Sequence, residues 1–239
     1  MGERNYGKPN PGRGILPFWL ILGKVFKFFR FAFSMAEKII QQGAEAVLIH
    51  KGDLVLKRRV AKGYRLKEMD ERIRRIRTRG EARLLEKARK AIDVPVVKKV
   101  DDKNMEMDMD FIDGKKLSES LDELKEWKEV CLLIGRNIAR LHAVGIIHGD
   151  LTTSNMIWVV KEKKLFFIDF GLGYGNGRTE DKAVDLHLIK QALEAKHFLK
   201  WEDYWKEIEK GYRKESKNAA EVLKRLEAVE KRGRYKQAY

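Results

Sequence analysis

The residues best suited to chemistry lie between Ile147 and Gly171. His148-Gly149-Asp150 is followed by Asn155, five positions after the aspartate, and Asp169 stands fourteen positions beyond that, ahead of Phe170 and Gly171. Two carboxylates and an amide at strand ends and in loops supply the hard oxygen atoms that Mg²⁺ prefers, and leave one carboxylate to aim a nucleophile. That is the donor set of Mg-ATP phosphoryl transfer. An Asp-Phe-Gly triplet alone occurs by chance in many chains, whereas the ordered set at these intervals is far more specific. The other candidates are weaker. Cys131, between Val130 and Leu132 on a predicted helix, reads as a core residue, and His142 and His148 read as structural supports of the loop between them.

These residues need a scaffold, and the hydrophobic pattern offers one in two parts. Ala44–Ile49 and Leu54–Lys57 are short apolar runs around Lys51-Gly52-Asp53, a hairpin signal. Glu71–Ala91 has no proline and repeats Ile73, Ile76, Leu84, Leu85 and Ala88 at helical spacing, which predicts a helix. Val94–Val100 and Met105–Ile112 read as strands, and Asp113-Gly114 closes this part with a turn. A single helix is expected over Ser118–Val144 with Ser118 as its cap, and then a second hairpin from Met156–Val160 and Leu165–Ile168. Gly171–Gly177 reads as a flexible loop, and Asp181–Lys231 as nearly all helix. The order is a small β-rich part followed by a mainly helical one, an α+β arrangement.

Composition narrows the function. The chain has 239 residues, with 51 Lys and Arg against 36 Asp and Glu, a net charge of +15, and 44% apolar residues. It is a folded basic protein, not a disordered tail. One cysteine excludes a disulfide scaffold, and scattered histidines give no zinc-finger spacing. Residues 51–100 hold 18 basic and 7 acidic side chains, a net of +11, expected to be carried mainly by the Glu71–Ala91 helix. Such a face is either a solvated helix surface or a site for an acidic partner such as RNA. Residues 1–34 hold Pro9, Pro11 and Pro17 and an apolar run interrupted by Lys24, Lys27 and Arg30, too broken for stable membrane insertion. Three readings of this extension stand: a basic amphipathic segment for a membrane surface or partner, a helix packed on the domain, or a start placed upstream of the natural one at Met35.

The constellation resembles the protein-kinase superfamily. Gly149-Asp-Leu-Thr-Thr-Ser-Asn-Met156, followed by Phe167-Ile-Asp-Phe-Gly-Leu-Gly173, is similar to the small atypical Ser/Thr kinases of the KEOPS (EKC) tRNA-modification complex, of archaeal type. The same pattern recurs in Gln42–Ala46, Leu56–Arg65, Asp70–Ala88 and Met109–Gly114, so the resemblance covers about residue 36 to the C-terminus. It implies a compact bilobal fold, with an N-lobe over 35–112, a C-lobe over 113–230 and a basic tail over 231–239. It further implies Asp150 as catalytic base or orienting carboxylate, Asn155 and Asp169 as Mg²⁺ ligands, and Lys57 on the α- and β-phosphates with Glu81 as its helix partner. On residue type alone, Lys57 and Glu81 are one lysine and one glutamate among many. Gly43 would cover the phosphates, the backbones of Asp110 and Ile112 would meet adenine, Asp185 would buttress the catalytic loop, and Arg232, Arg234 and Lys236 would contact RNA.

The departures from the common kinase pattern are as informative as the matches. No glycine-rich GxGxxG precedes Lys57, so Gly43 is left to supply the backbone freedom of a short covering loop. Gly149 replaces the usual arginine beside the catalytic aspartate, Thr152 stands where Ser/Thr kinases carry a lysine, and no conventional activation loop follows Gly171. The resemblance therefore implies an ATP- and Mg²⁺-dependent kinase or ATPase, cytoplasmic and held in a complex that makes threonylcarbamoyladenosine in tRNA. Its partners would be the threonylcarbamoyltransferase subunit, which it would regulate, the other KEOPS subunits, and tRNA through the complex. An autonomous Ser/Thr kinase and a non-catalytic RNA-binding scaffold are the alternatives.

Overall fold

In a computed structural model, residues 38–43 and 45–235 are described, together with Gly2, with side chains to Arg232. The expectations for residues 1–34, the side chain of Arg234 and Lys236 lie outside the described residues. The chain opens with an antiparallel hairpin pair, β1 (Lys38–Gln42), β2 (Ala46–Lys51) and β3 (Leu54–Arg59). Helix α1 (Lys67–Ala88) follows, then β4 (Val97–Asp101) and β5 (Glu106–Asp110), and the five strands form one sheet in the order β1-β2-β3-β5-β4. β3 is central, with Lys57 opposite Leu48 on one side and Met107 on the other. Because side chains alternate along a strand, Lys57 and Arg59 share one face while Arg58 points away and is exposed.

Helix α1 begins a turn earlier than its apolar pattern suggests. Glu68 and Asp70 occupy its first turn, where carboxylates suit the positive end of the helix dipole. Its buried face, Thr78, Glu81, Ala82, Leu85 and Ala88, follows helical periodicity and includes a carboxylate among apolar residues. The helix carries eight basic and five acidic side chains. Its net of +3 corrects the expectation that it holds most of the cationic excess, which extends over β3, the turn after it and the segment beyond the helix.

Beyond Asp113 the fold is mainly helical. The single helix expected over Ser118–Val144 is instead broken into α2 (Leu117–Ser120), a 3-10 turn (Leu121–Glu123) and α3 (Trp127–Ala143). Ser118 lies inside the first of these and caps nothing. The break has a tertiary cause: the Asp122 carboxylate is bound 2.8 Å from His197 Nδ1 and accepts the Tyr204 hydroxyl at 2.9 Å, so the turn is pinned to later helices. A small sheet, β6 (Lys115–Lys116), β8 (Met156–Val159) and β9 (Lys164–Phe167), holds the second hairpin. Gly171–Gly177 is not wholly loop, since β10 (Tyr174–Gly175) pairs with β7 (Ile146–Ile147) and fastens the segment after Phe170 to the base of the catalytic loop.

Three long helices complete the chain: α4 (Thr179–Lys196), α5 (Trp201–Glu215) and α6 (Ala219–Tyr235). The core gathers around α3 and α5, where Ile134, Ile138 and Leu141 meet Tyr204, Ile208 and Tyr212, all nearly inaccessible. These two helices touch backbone to backbone. A Cβ on Gly135 would lie 1.9 Å from the Ile208 carbonyl oxygen and one on Gly211 would lie 2.1 Å from that of Leu132, so only glycine permits this approach. No helix among the described residues is long and apolar enough to cross a membrane.

Candidate active site

The upper side of the cleft is built from charge. Lys57 Nζ donates to Glu81 Oε1 at 2.7 Å and to Asp169 Oδ1 at 2.8 Å. Strand β3 and helix α1 bring the first pair together, both members buried, and the chain after β9 brings in Asp169. Arg59, two positions after Lys57 on the same face of β3, donates to the other Glu81 oxygen at 2.6 Å. One buried carboxylate thus holds two buried cations. Burial works against the Lys57 charge, but Glu81 and Asp169 outweigh it, so its pKa stands above the ordinary lysine value. Burial likewise acts to raise Asp169, and the Lys57 ammonium together with the Gly171 N–H holds it below the ordinary carboxylate value.

The lower side is built from backbone groups and two histidines gathered around a buried carboxylate. Asp185 on α4 accepts the N–H of His148 at 2.7 Å and that of Gly149 at 2.8 Å, and His142 Nε2 lies 3.3 Å from the same carboxylate. His148 is fully buried; its Nε2 donates to the Ile168 carbonyl at 3.1 Å and its Nδ1 accepts the Asp150 N–H at 3.3 Å. Burial pushes both histidines below their usual pKa, so each stays neutral. Asn155 donates its amide to the Asp150 carbonyl at 2.9 Å and to Asp150 Oδ2 at 2.8 Å, while its own carbonyl receives the Ile168 N–H at 3.0 Å. The catalytic-loop residues and Asp169 are thereby tied to one framework.

Two backbone positions here lie in the left-handed region. Asp169 has φ +62°, unusual for a residue with a side chain and characteristic of functional positions. Gly149 has φ +77°, and a Cβ there would lie 2.5 Å from the Leu172 carbonyl oxygen. The missing arginine beside Asp150 is therefore a packing requirement of this loop: no side chain fits where the segment after Asp169 crosses it.

Lys57, Glu81 and Asp169 are joined by hydrogen bonds, Asp150 lines the same cavity and is bonded to Asn155, and Asp185 holds the backbone just before Asp150. Gly43 lines the same cavity but lies outside the left-handed region, and its N–H is bonded to the Ala46 carbonyl at 2.9 Å, so the expected reliance on its backbone freedom is not met. Asp110 and Ile112 lie outside that cavity's lining, and the Asp110 N–H goes to the Val96 carbonyl at 3.0 Å. Arg232 is far in sequence from the site and is paired with Glu180 at the start of α4. Arg59 escaped notice in the sequence, although its i+2 relation to Lys57 was the signal. Glu45 and Arg77, which also line the cavity and pair at 2.8 Å, had no local signal at all.

The donor chemistry fits a magnesium ion. Asn155 commits its NH₂ and leaves its amide oxygen, and Asp169 commits Oδ1 and leaves Oδ2. Among the described residues no cluster of three or more His, Cys, Asp or Glu could form an all-protein cage. Mg²⁺ characteristically takes one or two such oxygens and completes its shell with water and phosphate.

A family pattern described as the RIO domain matches residues 28–172. The chain belongs to the RIO-domain family. Within it the chain is 41% identical over 216 residues to the KEOPS complex subunit Bud32 of Pyrococcus abyssi, covering 84% of this chain and 97% of that protein. It is also 38% identical over 208 residues to a probable bifunctional tRNA threonylcarbamoyladenosine biosynthesis protein of Methanobrevibacter smithii. That match covers 84% of this chain but 37% of the longer protein. The RIO fold is visible in three dimensions as well. The Rio2 kinase of Chaetomium thermophilum, solved as an ADP/Mg²⁺-phosphoaspartate complex, superposes with a TM-score of 0.57 at 16% identity, covering 90% of this chain and 76% of that one.

Proposed function

We propose that this RIO-domain protein binds Mg-ATP between its two lobes and turns it over as the kinase or ATPase subunit of a KEOPS-type complex, supporting threonylcarbamoyladenosine synthesis on tRNA. The observation that carries the reading is the chain of contacts from Glu81 through Lys57 to Asp169, 2.7 and 2.8 Å long, in a cavity also lined by Asp150, which Asn155 holds at 2.8 Å. Burying Lys57 together with Glu81 is costly and is weak evidence for stability alone. Aiming an ammonium at phosphate explains it.

In this reading Lys57 binds the α- and β-phosphates, and Glu81 keeps it pointed into the cleft. Asp150 orients the nucleophile with the carboxylate oxygen that Asn155 does not occupy, and Asp185 fixes the loop that carries it. Asn155 and Asp169 hold Mg²⁺, which neutralises phosphate charge. The Asp110 carbonyl and the Ile112 backbone face adenine, and Gly43 covers the phosphates from above. The tail residues Arg232, Arg234 and Lys236 contact tRNA, which requires Arg232 to exchange Glu180 for phosphate. The direct protein partner is the threonylcarbamoyltransferase subunit, regulated or reset by ATP hydrolysis, and the setting is cytoplasmic.

The autonomous-kinase alternative is disfavoured by the short path from Gly171 to Thr179, part of which is strand-paired to β7, leaving little platform for a peptide. A non-catalytic scaffold has no use for the buried cations around Glu81. The test is ATP hydrolysis by the chain alone, with the transferase subunit, and with tRNA added, in the unaltered protein and in Asp169→Ala. Turnover is expected to vanish in the variant while the fold and tRNA binding persist; unchanged turnover would sink the enzyme reading.

A further inference from the structure

We propose that Arg77 recognises the terminal phosphate of the nucleotide and is held in reserve by Glu45 until that phosphate arrives. The proposal rests on the nucleotide-binding reading above and deepens it. A cavity of about 240 Å³ is lined by Lys57, Arg59, Arg77, Glu45, Asp150 and Asp169, among others. Three cations thus face one small space, but they are not held alike. Lys57 and Arg59 have side chains 7% and 4% exposed, and both are bound to Glu81. Arg77 lies on α1 one turn before Glu81, its side chain is 35% exposed, and it reaches across to Glu45, itself 49% exposed on the turn between β1 and β2.

That contact is the weakest of the set. A half-exposed ion pair contributes little, because water screens it and both side chains lose freedom in forming it. A phosphate offers an arginine more, namely two parallel charge-assisted hydrogen bonds matched to the guanidinium fork. An incoming triphosphate also repels Glu45, so the same charge that attracts Arg77 loosens its present partner. The exchange frees Arg77 inside the cavity.

The site has need of such a donor. The Gly43 N–H, on the loop that borders the cavity, is taken by the Ala46 carbonyl at 2.9 Å and is not free to meet phosphate. The catalytic loop carries Thr152 and no lysine at the position where one would meet the last phosphate. Arg77 is the cation lining the cavity whose partner is most readily given up.

The experiment is calorimetric binding of a non-hydrolysable ATP analogue and of AMP, each with Mg²⁺, to the full chain and to Arg77→Gln, Glu45→Gln and the double variant. Arg77→Gln should weaken the triphosphate analogue about tenfold while AMP changes by less than about twofold. Glu45→Gln should tighten the triphosphate analogue by about threefold, and the double variant should behave as Arg77→Gln does. Equal weakening of both nucleotides by Arg77→Gln, or weaker analogue binding by Glu45→Gln, overturns this proposal and leaves the nucleotide reading intact. Absence of nucleotide binding by the unaltered chain overturns both. Melting temperatures of the four proteins, expected to agree closely, show that the differences arise at the site.

Discussion

The two sides of the cleft line one cavity and are held by different physics. The lower side, with His148, Gly149, Asp150 and Asn155, is fixed by the buried Asp185 carboxylate, which accepts the backbone N–H groups of His148 and Gly149 and lies against the His142 ring. Its anchors, Asp185, His142 and His148, are buried and hydrogen-bonded, which resists rearrangement. The upper side, with Lys57, Arg59, Arg77 and Glu81, is held by ion pairs that grade from buried to half exposed. Charge pairs can exchange partners when an anion enters, and satisfied backbone bonds cannot do so cheaply. Under the function proposed above, the difference suits a site in which Asp150 must stay in place while the cations opposite adjust to an incoming phosphate.

The strongest way to break that contrast is to remove the anchor of the lower side. Asp185→Ala leaves two buried N–H donors and His142 without an acceptor, and is expected to cost about 4 kcal/mol of stability together with turnover. A chemical-denaturation midpoint and an ATPase assay check both. A smaller loss should follow Gly149→Ala, whose Cβ meets the Leu172 carbonyl oxygen at 2.5 Å in a left-handed backbone. Roughly 3 kcal/mol is expected, with weaker Mg-nucleotide binding because the segment bearing Asp169 is displaced. If the alanine variant matches the unaltered protein in melting and binding, the lower side is not rigid in the sense argued.

The smallest effect separates the two sides by pH. His142 and His148 have pKa values below their usual 6.5 in the fold, so the unfolded chain binds protons that the fold does not as pH falls past that value. Their contribution is complete above pH 6.5 and is lost progressively below it. Asp169, lowered from 3.8, contributes fully above that value and loses its contribution as pH falls through its folded pKa. Lys57, raised from 10.5, contributes fully below that value and loses its contribution only as pH rises through its folded pKa. Between pH 5 and 7, melting temperature should therefore fall on acidification through the lower side alone. His142→Gln should flatten that slope.

Much of this could be read from the chain, and the exceptions share a cause. The intervals linking Asp150, Asn155 and Asp169 were legible because each lies within one short stretch whose loop and hairpin carry their own geometry. Lys57 on a strand and Glu81 on the helix after it were legible from period and family resemblance. The break after Glu123 was not, because Asp122 is drawn away by His197 and Tyr204, more than seventy residues on. The strand at Tyr174–Gly175 was hidden in a glycine-rich run whose partner, β7, lies far earlier in the chain.

The sequence by itself determined the two-part architecture, the spacing of Asp150, Asn155 and Asp169, and the motifs that mark the family, because these depend on local periodicity and on motifs contiguous in the chain. The tertiary structure decided the second cation on Glu81, the pairing of Arg77 with Glu45, and the reason for a glycine beside Asp150. Each of those depends on which distant segment comes to lie against it, and a buried charge or an absent side chain acquires its meaning only from the atoms that packing places within reach.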